Sequence, residues 1–532
     1  MKHKNLFPLK ALAAALFLLL LFGGRMTAAD EAEGADPEAT QLWPAITYSN
    51  GTASDALPNN YFSHLSFTAG DTITLESDTP MAGIYICWDT KEVQSWSLTL
   101  EDGTVQQCGT EGYLHEYVAF SSPSSKAVIT LSGNSAICKL YAFSEGALPS
   151  WVQVWTPSCS EADILLISTH ADDEQIFFGG ILPYYAGELE LQVQVVYFCN
   201  YWNGSTRREH EKLDGLWTVG VRKYPVNGDF DDLDVSTGGL EEAKALYDYD
   251  TTVGFMVEMI RRFRPLVTVG QDFGGEYGHG AHQLTAAALA DALPLAADET
   301  SYPASAETYG TWDVPKAYFH VYGDDPIDLD CRRELSNFGG KTVLEVAADG
   351  YLQHKSQLWC WFYIADLYGK YDYDDSIGQF VYKEFGDEDR YTYHSLDENG
   401  LYKFSCGRFG LYRTLVGEDV DRDDLLEHVT TYEEQARLAE EESIAASVAA
   451  SEAEASSLAE EASIAASLAE SKAEAASVAE SEAEADAAAA ASIRTVLAVI
   501  LVVVVALLLL SGEFIILYRR FNSKRRHRRK QH

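Results

Sequence analysis

Two short clusters in this sequence hold the residue types that metal-assisted hydrolysis needs. The first is HADDE: His170, Ala171, Asp172, Asp173 and Glu174. The second is GEYGHGAH, which carries His279 and His282. Imidazole and carboxylate together make a zinc ligand set, and a catalytic zinc keeps three protein ligands and one position for water. Successive side chains point differently, so Asp172 and Asp173 cannot easily share one role. One can bind metal while the other faces the water. A helix N-cap with acids favourable to the dipole would explain the carboxylates of HADDE. It would leave His170 and the second histidine pair unexplained, so a metal site is the stronger expectation.

The elements around these clusters are those of an α/β domain. ADILLIST reads as a buried strand ending at HADDE, and QIFFGGILPYYAG as the helix after it. LQVQVVYF is a second strand, REHEKLDGLWTVG and FMVEMIRRF are helical, and RPLVTVG is a strand that Pro265 helps to start. AHQLTAAALADAL is a helix and KAYFHVY another strand. Continuous apolar strands between helices predict a Rossmann-like, mostly parallel sheet covered on both faces. Such sheets bind ligands at the carboxyl ends of their strands. Both clusters sit on strand-to-helix loops, so two parallel strands would present them on one edge.

The stretch ILLISTHADDEQIFFGG, together with the later His279 and His282, resembles the PIG-L/LmbE family of zinc-dependent N-acetylglucosaminyl deacetylases. The resemblance covers residues 160–417, about half the chain. It implies that His170, Asp173 and His282 hold Zn2+, that Asp172 is the general base, and that His279 stabilises or protonates the tetrahedral intermediate. The family commonly has Pro where this chain has Ala171, and His-Pro-Asp-His where it has His-Gly-Ala-His; both departures keep every ligand. RREHEKLDGLWTVG, with Arg208 and Glu211, resembles the family's Arg-x-x-Glu helix. YLQHKSQ, with His354, Ser356 and Gln357, resembles its late H-x-S-Q segment. The resemblance implies that Arg208 and His354 touch substrate, though a structural role fits both equally well. The implied activity is deacetylation of N-acetylglucosamine-type sugars on extracellular glycans. The rival readings are an inactive surface carbohydrate-binding protein and a zinc amidase acting on a non-sugar amide.

The remainder of the 532 residues suggests how such a domain would be carried. Residues 1–29 read as a signal peptide: Lys2, Lys4 and Lys10, an apolar run from Ala11 to Phe22, then small residues at Thr27, Ala28 and Ala29. Residues 30–44 read as a linker. Residues 45–148 alternate in short runs punctuated by turn residues, the pattern of an all-β sandwich. There Trp88 and Trp96 are expected in the core rather than on a sugar. Residues 433–492 are almost wholly Ala, Ser and Glu, a solvated stalk, helical or disordered; their larger apolar residues scatter around a helix and form no coiled-coil seam. Residues 493–518 read as a transmembrane helix and 519–532 as a basic cytoplasmic tail. The expected location is therefore the cell membrane, single-pass, with the catalytic domain extracellular. Against 39 Lys and Arg stand 81 Asp and Glu, a net charge of −42, which excludes nucleic acid as a partner. The eight cysteines form no C-x-x-C pair, so a cysteine zinc site has no support.

Overall fold

A computed structural model describes residues 37–235, 238–276, 278–357, 369–374, 379–384, 406–483, 499–507 and 509. The chain separates into two compact units, Met1–Gln435 and Ala436–His532.

The first unit begins with a sheet-rich part of eight strands: β1 (Gln41–Leu42), β2 (Ala45–Tyr48), β3 (Leu65–Phe67), β4 (Thr72–Trp88), β5 (Trp96–Leu100), β6 (Val105–Cys108), β7 (His115–Leu131) and β8 (Ser135–Phe143). All of their pairings are antiparallel. The long β4 and β7 organise the sheet, and their register breaks between Glu76 and Gly83. Before the break β4 also pairs with β2, and after it with β8. The alternation read in the sequence places every second side chain of β5 inward. Trp88 and Trp96 are each 1% exposed, with ring centroids 5.8 Å apart, and so belong to the core.

The α/β part follows. Its sheet contains β9 (Ile164–Ser168), β10 (Val193–Asn200), β11 (Val226–Asp231), β12 (Val267–Gly270) and β13 (Lys316–His320), in the order β11-β10-β9-β12-β13. These five are parallel, and the antiparallel strand Arg408–Thr414 pairs with β13 and with Ile327–Asp328. Every residue of β9, β10, β12 and β13 is buried, as a sheet covered on both faces requires. Their helices are α1 (Asp173–Ile176), α2 (Arg207–Thr218), α3 (Gly239–Leu246), α4 (Tyr249–Phe263) and α5 (Gly280–Ala296). The expected helix after β9 is broken: α1 covers only Asp173–Ile176, and a π-helix at Leu182–Glu188 follows a Gly179–Gly180 pair. The chain moves from β9 outward in one direction to β10 and β11, then returns to β12 on the other side. That reversal between β9 and β12 opens a crevice at the strands' carboxyl ends.

A helix runs from Tyr432 to Ala483; at 1.5 Å per residue its 52 residues reach about 78 Å. Leu438, Ile444, Val448 and Leu458 along it are all exposed.

The expected membrane span at 493–518 is corrected, and with it the single-pass cell-membrane location, the extracellular catalytic domain and the membrane as a partner. Among the described residues no helix is long and apolar enough to cross a membrane. Of that stretch the structure describes 499–507 and 509, in helix. The signal peptide expected at 1–29 and the tail expected at 519–532 lie outside the described residues, as does Cys360. The seven described cysteines are free thiols.

Candidate metal centre

The crevice brings the two sequence clusters together. His170 and Asp173 follow β9, and His282 lies in the first turn of α5 after β12. His170 Nδ1 is 3.0 Å from His282 Nε2 and 3.2 Å from Asp173 Oδ2, and His282 Nε2 is 3.2 Å from Asp173 Oδ2. Three donor atoms thus form a nearly equilateral triangle. Ligand atoms at the usual 2.0–2.1 Å from a tetrahedral zinc lie about 3.3 Å apart, so the donor set fits that ion. All three side chains are buried, which keeps competing water off their donor atoms.

Each imidazole has a carboxylate behind it. His282 Nδ1 meets Glu276 Oε2 at 2.6 Å, and the other oxygen of Glu276 meets His320 Nδ1 at 3.0 Å. His170 Nε2 faces Asp232 Oδ1 at 3.4 Å. Gln271 Nε2 donates to Asp173 Oδ2 at 3.3 Å. Such partners fix which ring nitrogen is free to face a metal. Burial works against a charge on His282, but Asp173 and Glu276 outweigh it and raise its pKa to about 9. Burial likewise opposes ionisation of Asp173, and His282 and His170 outweigh it, holding the carboxyl well below its usual range.

His279 is the N-cap of α5, and its Nδ1 accepts the Ala281 N–H at 3.2 Å. Its ring lies 4.8 Å from that of His170 and 4.7 Å from that of His282. His170, His279 and His282 therefore make a second group able to hold a metal, and His170, Cys199 and Asp232 a third. Burial, followed by the neighbouring histidines, lowers the His279 pKa to about 3, so the ring is neutral. With Nδ1 accepting, its proton sits on Nε2.

Asp172 occupies an unusual backbone position, with φ 120°. Its N–H donates to Glu174 Oε2 at 2.8 Å, and Glu174 Oε1 meets His354 Nε2 at 2.7 Å. Its carboxylate accepts from Arg208 NH2 at 3.1 Å; the same nitrogen donates to Ala171 O at 2.6 Å, and NH1 to Asp232 Oδ2 at 3.3 Å. Burial pushes the Asp172 carboxyl up to about 7 against the pull of Arg208. Arg208 and His354, expected at the substrate, are thus both turned inward as braces of the HADDE loop, and His354 is fully buried. Glu211 joins the other two stretches singled out in the sequence: its carboxylate accepts the Ser356 N–H at 3.0 Å. Sequence reasoning missed Asp232, Gln271, Glu276 and His320. Asp232 and His320 stand at or just past the carboxyl ends of β11 and β13, the one signal that could have found them.

No protein-family model matches the sequence. A 1D-myo-inositol 2-acetamido-2-deoxy-alpha-D-glucopyranoside deacetylase of Rhodococcus erythropolis is 28% identical over 192 residues, 31% of this chain and 62% of that protein. A second deacetylase of the same description, from Saccharopolyspora erythraea, is 31% identical over 177 residues, 29% of this chain and 64% of that protein. These similarities fit the PIG-L/LmbE deacetylase family that the sequence motifs resemble. The chain spans a little under two thirds of the length of these two relatives. Among solved structures, the N,N'-diacetylchitobiose deacetylase from Pyrococcus horikoshii is 14% identical, with a TM-score of 0.27, covering 37% of this chain and 71% of that one.

Proposed function

We propose that residues 160–417 form a zinc-dependent hydrolase that removes the acetyl group from N-acetylated amino sugars of the N-acetylglucosamine type. The sheet-rich part ahead of it we take to be a separate β-sandwich domain at 45–148, and 433–492 a stalk. The observation that carries the reading is the triangle of His170 Nδ1, Asp173 Oδ2 and His282 Nε2, with the His279 ring beside it. The relatives from Rhodococcus and Saccharopolyspora are deacetylases of a 2-acetamido sugar, which supports the substrate class.

An amide is a poor electrophile with a poor leaving group. Zinc held by His170, Asp173 and His282 would supply Lewis acidity that polarises the carbonyl and acidifies water. Asp172 is next to a ligand yet is not one in this arrangement, so its carboxylate is placed to take the attacking water's proton. Arg208 fixes the orientation of that carboxylate. His279 Nε2–H donates to the oxygen on which charge develops. The nitrogen must gain a proton before its bond to carbon breaks, and Asp172, having taken one, can return it. Arg208 and His354 act as positioning residues through Asp172 and Glu174.

The purified full chain should release acetate from N-acetylglucosaminides, followed by mass spectrometry, and should contain about one zinc per chain. A folded preparation that stays active after exhaustive chelation would defeat the proposal. Glu276→Gln should keep the hydrogen bond to His282 but lose its charge. Zinc affinity in a chelator competition is then expected to fall by about 10–100-fold, the usual worth of such a partner. Unchanged affinity would mean that Glu276 serves only the fold.

A further inference from the structure

A cavity of about 200 Å³ lies where β4 and β8 meet α2, away from the metal-centre residues. Five aromatic rings wall it: Tyr61, Tyr85 of β4, Tyr141 of β8, Trp151, and Trp217 of α2. Trp151 is 44% exposed, and its ring centroid lies 5.2 Å from that of Tyr141 and 6.0 Å from that of Tyr85. The charged groups of its wall are Lys139 and Asp214. Lys139 Nζ stands 3.2 Å from the centre of the Tyr61 ring and has no hydrogen bond or ion pair among the described residues. Asp214 is held through one oxygen only: Oδ1 accepts from Gln153 Nε2 at 2.6 Å and from Tyr61 Oη at 3.1 Å. Gln153 is itself 2% exposed and pinned by His115 Nδ1 at 2.8 Å and Trp155 Nε1 at 2.9 Å. The carboxylate is therefore rigidly set, while its Oδ2 accepts nothing among the described residues.

We propose that this cavity is a second sugar-binding site that takes one neutral pyranose ring of a glycan. A pyranose offers apolar C–H faces to aromatic rings and a rim of adjacent hydroxyls. One hydroxyl donates to the fixed Asp214 carboxylate, and a neighbour accepts from the Lys139 ammonium, bonds of the stronger charge-assisted kind. The two charges cancel, which selects a neutral ring over a uronic or sulfated one. The volume is below the roughly 300–1,000 Å³ of sites for drug-sized ligands, so it suits a single ring. Asp214 lies six residues from Arg208 on α2, about 9 Å along the axis, so this site does not rest on the deacetylase reading.

The test is titration of the full chain with methyl glucoside, methyl galactoside and methyl mannoside, followed by tryptophan fluorescence and saturation-transfer NMR. None carries an acetamide, so none calls on the proposed deacetylase chemistry. At least one should bind saturably. Trp151→Ala and Lys139→Met should each weaken that binding roughly tenfold, whereas Asp172→Asn should leave it unchanged. The proposal is overturned if none of the three saturates the wild-type chain. It is also overturned if either cavity variant binds as tightly as wild type, or if Asp172→Asn loses the binding too.

Discussion

Asp172→Asn should lose turnover by a factor on the order of 10²–10⁴, the usual worth of a general base, while keeping its zinc and its substrate affinity. The amide nearly matches the carboxylate in shape and still accepts from Arg208, so the loop keeps its geometry. What disappears is the ability to take a proton. Asp173→Asn is the control one residue away. It removes a charged donor from the triangle with His170 and His282, so the metal itself should weaken. Zinc content, measured on both variants beside kcat, separates the two roles. Should Asp172→Asn shed zinc while Asp173→Asn retains it, the assignments are exchanged. If both remain fully active, HADDE is only a helix cap.

The second large effect is expected at His282. It is fully buried, with Nε2 at the triangle and Nδ1 on Glu276. His282→Ala removes one of three donors, takes away the imidazole partner of Glu276 Oε2, and leaves Asp173 with one cationic neighbour fewer. Zinc per chain should fall from about one to background, and activity with it. A readout independent of activity comes from melting. A ligand present at about 1,000 times its Kd stabilises the native state by roughly 4 kcal/mol. Added zinc should therefore raise the Tm of the metal-stripped wild type and leave that of His282→Ala where it was. A variant that still shows the full zinc-dependent rise would remove His282 from the ligand set.

Much of the catalytic frame was legible because it depends on local patterns. ILLIS and VQVVYFCN are apolar runs too continuous for a half-exposed strand, and both are wholly buried. HADDE and HGAH are compact clusters on strand-to-helix loops, and the strand order β9-β12 makes those loops neighbours. The partners behind the ligands were not legible, because no spacing announces them. Glu174 and His354 are 180 positions apart, and Glu276 and His320 meet only because β12 and β13 run side by side. For Arg208 and His354 the motifs leave substrate contact and a structural role equally open. Where a charged side chain points depends on which opposite charge the fold brings within reach, and here those are Asp172, Asp232 and Glu174. At the C-terminus, hydropathy alone suggested a span, and among the described residues no helix is long and apolar enough to make one.

The backbone at Asp172 carries a consequence for how this protein could be improved. An L-residue held at φ 120° costs on the order of 1–3 kcal/mol, and the fold tolerates it because Glu174 grips the amide and His354 grips Glu174. Glycine would sit there without strain. A library selected for thermal resistance alone should therefore drift toward Gly at position 172 and toward relaxed substitutions at its two braces. Each such step would trade the proposed proton acceptor, or its alignment, for a higher melting point. Robustness and chemistry compete for the same residue, so a sturdier version of this protein has to find its gains in the sheet-rich part or on the outer helices.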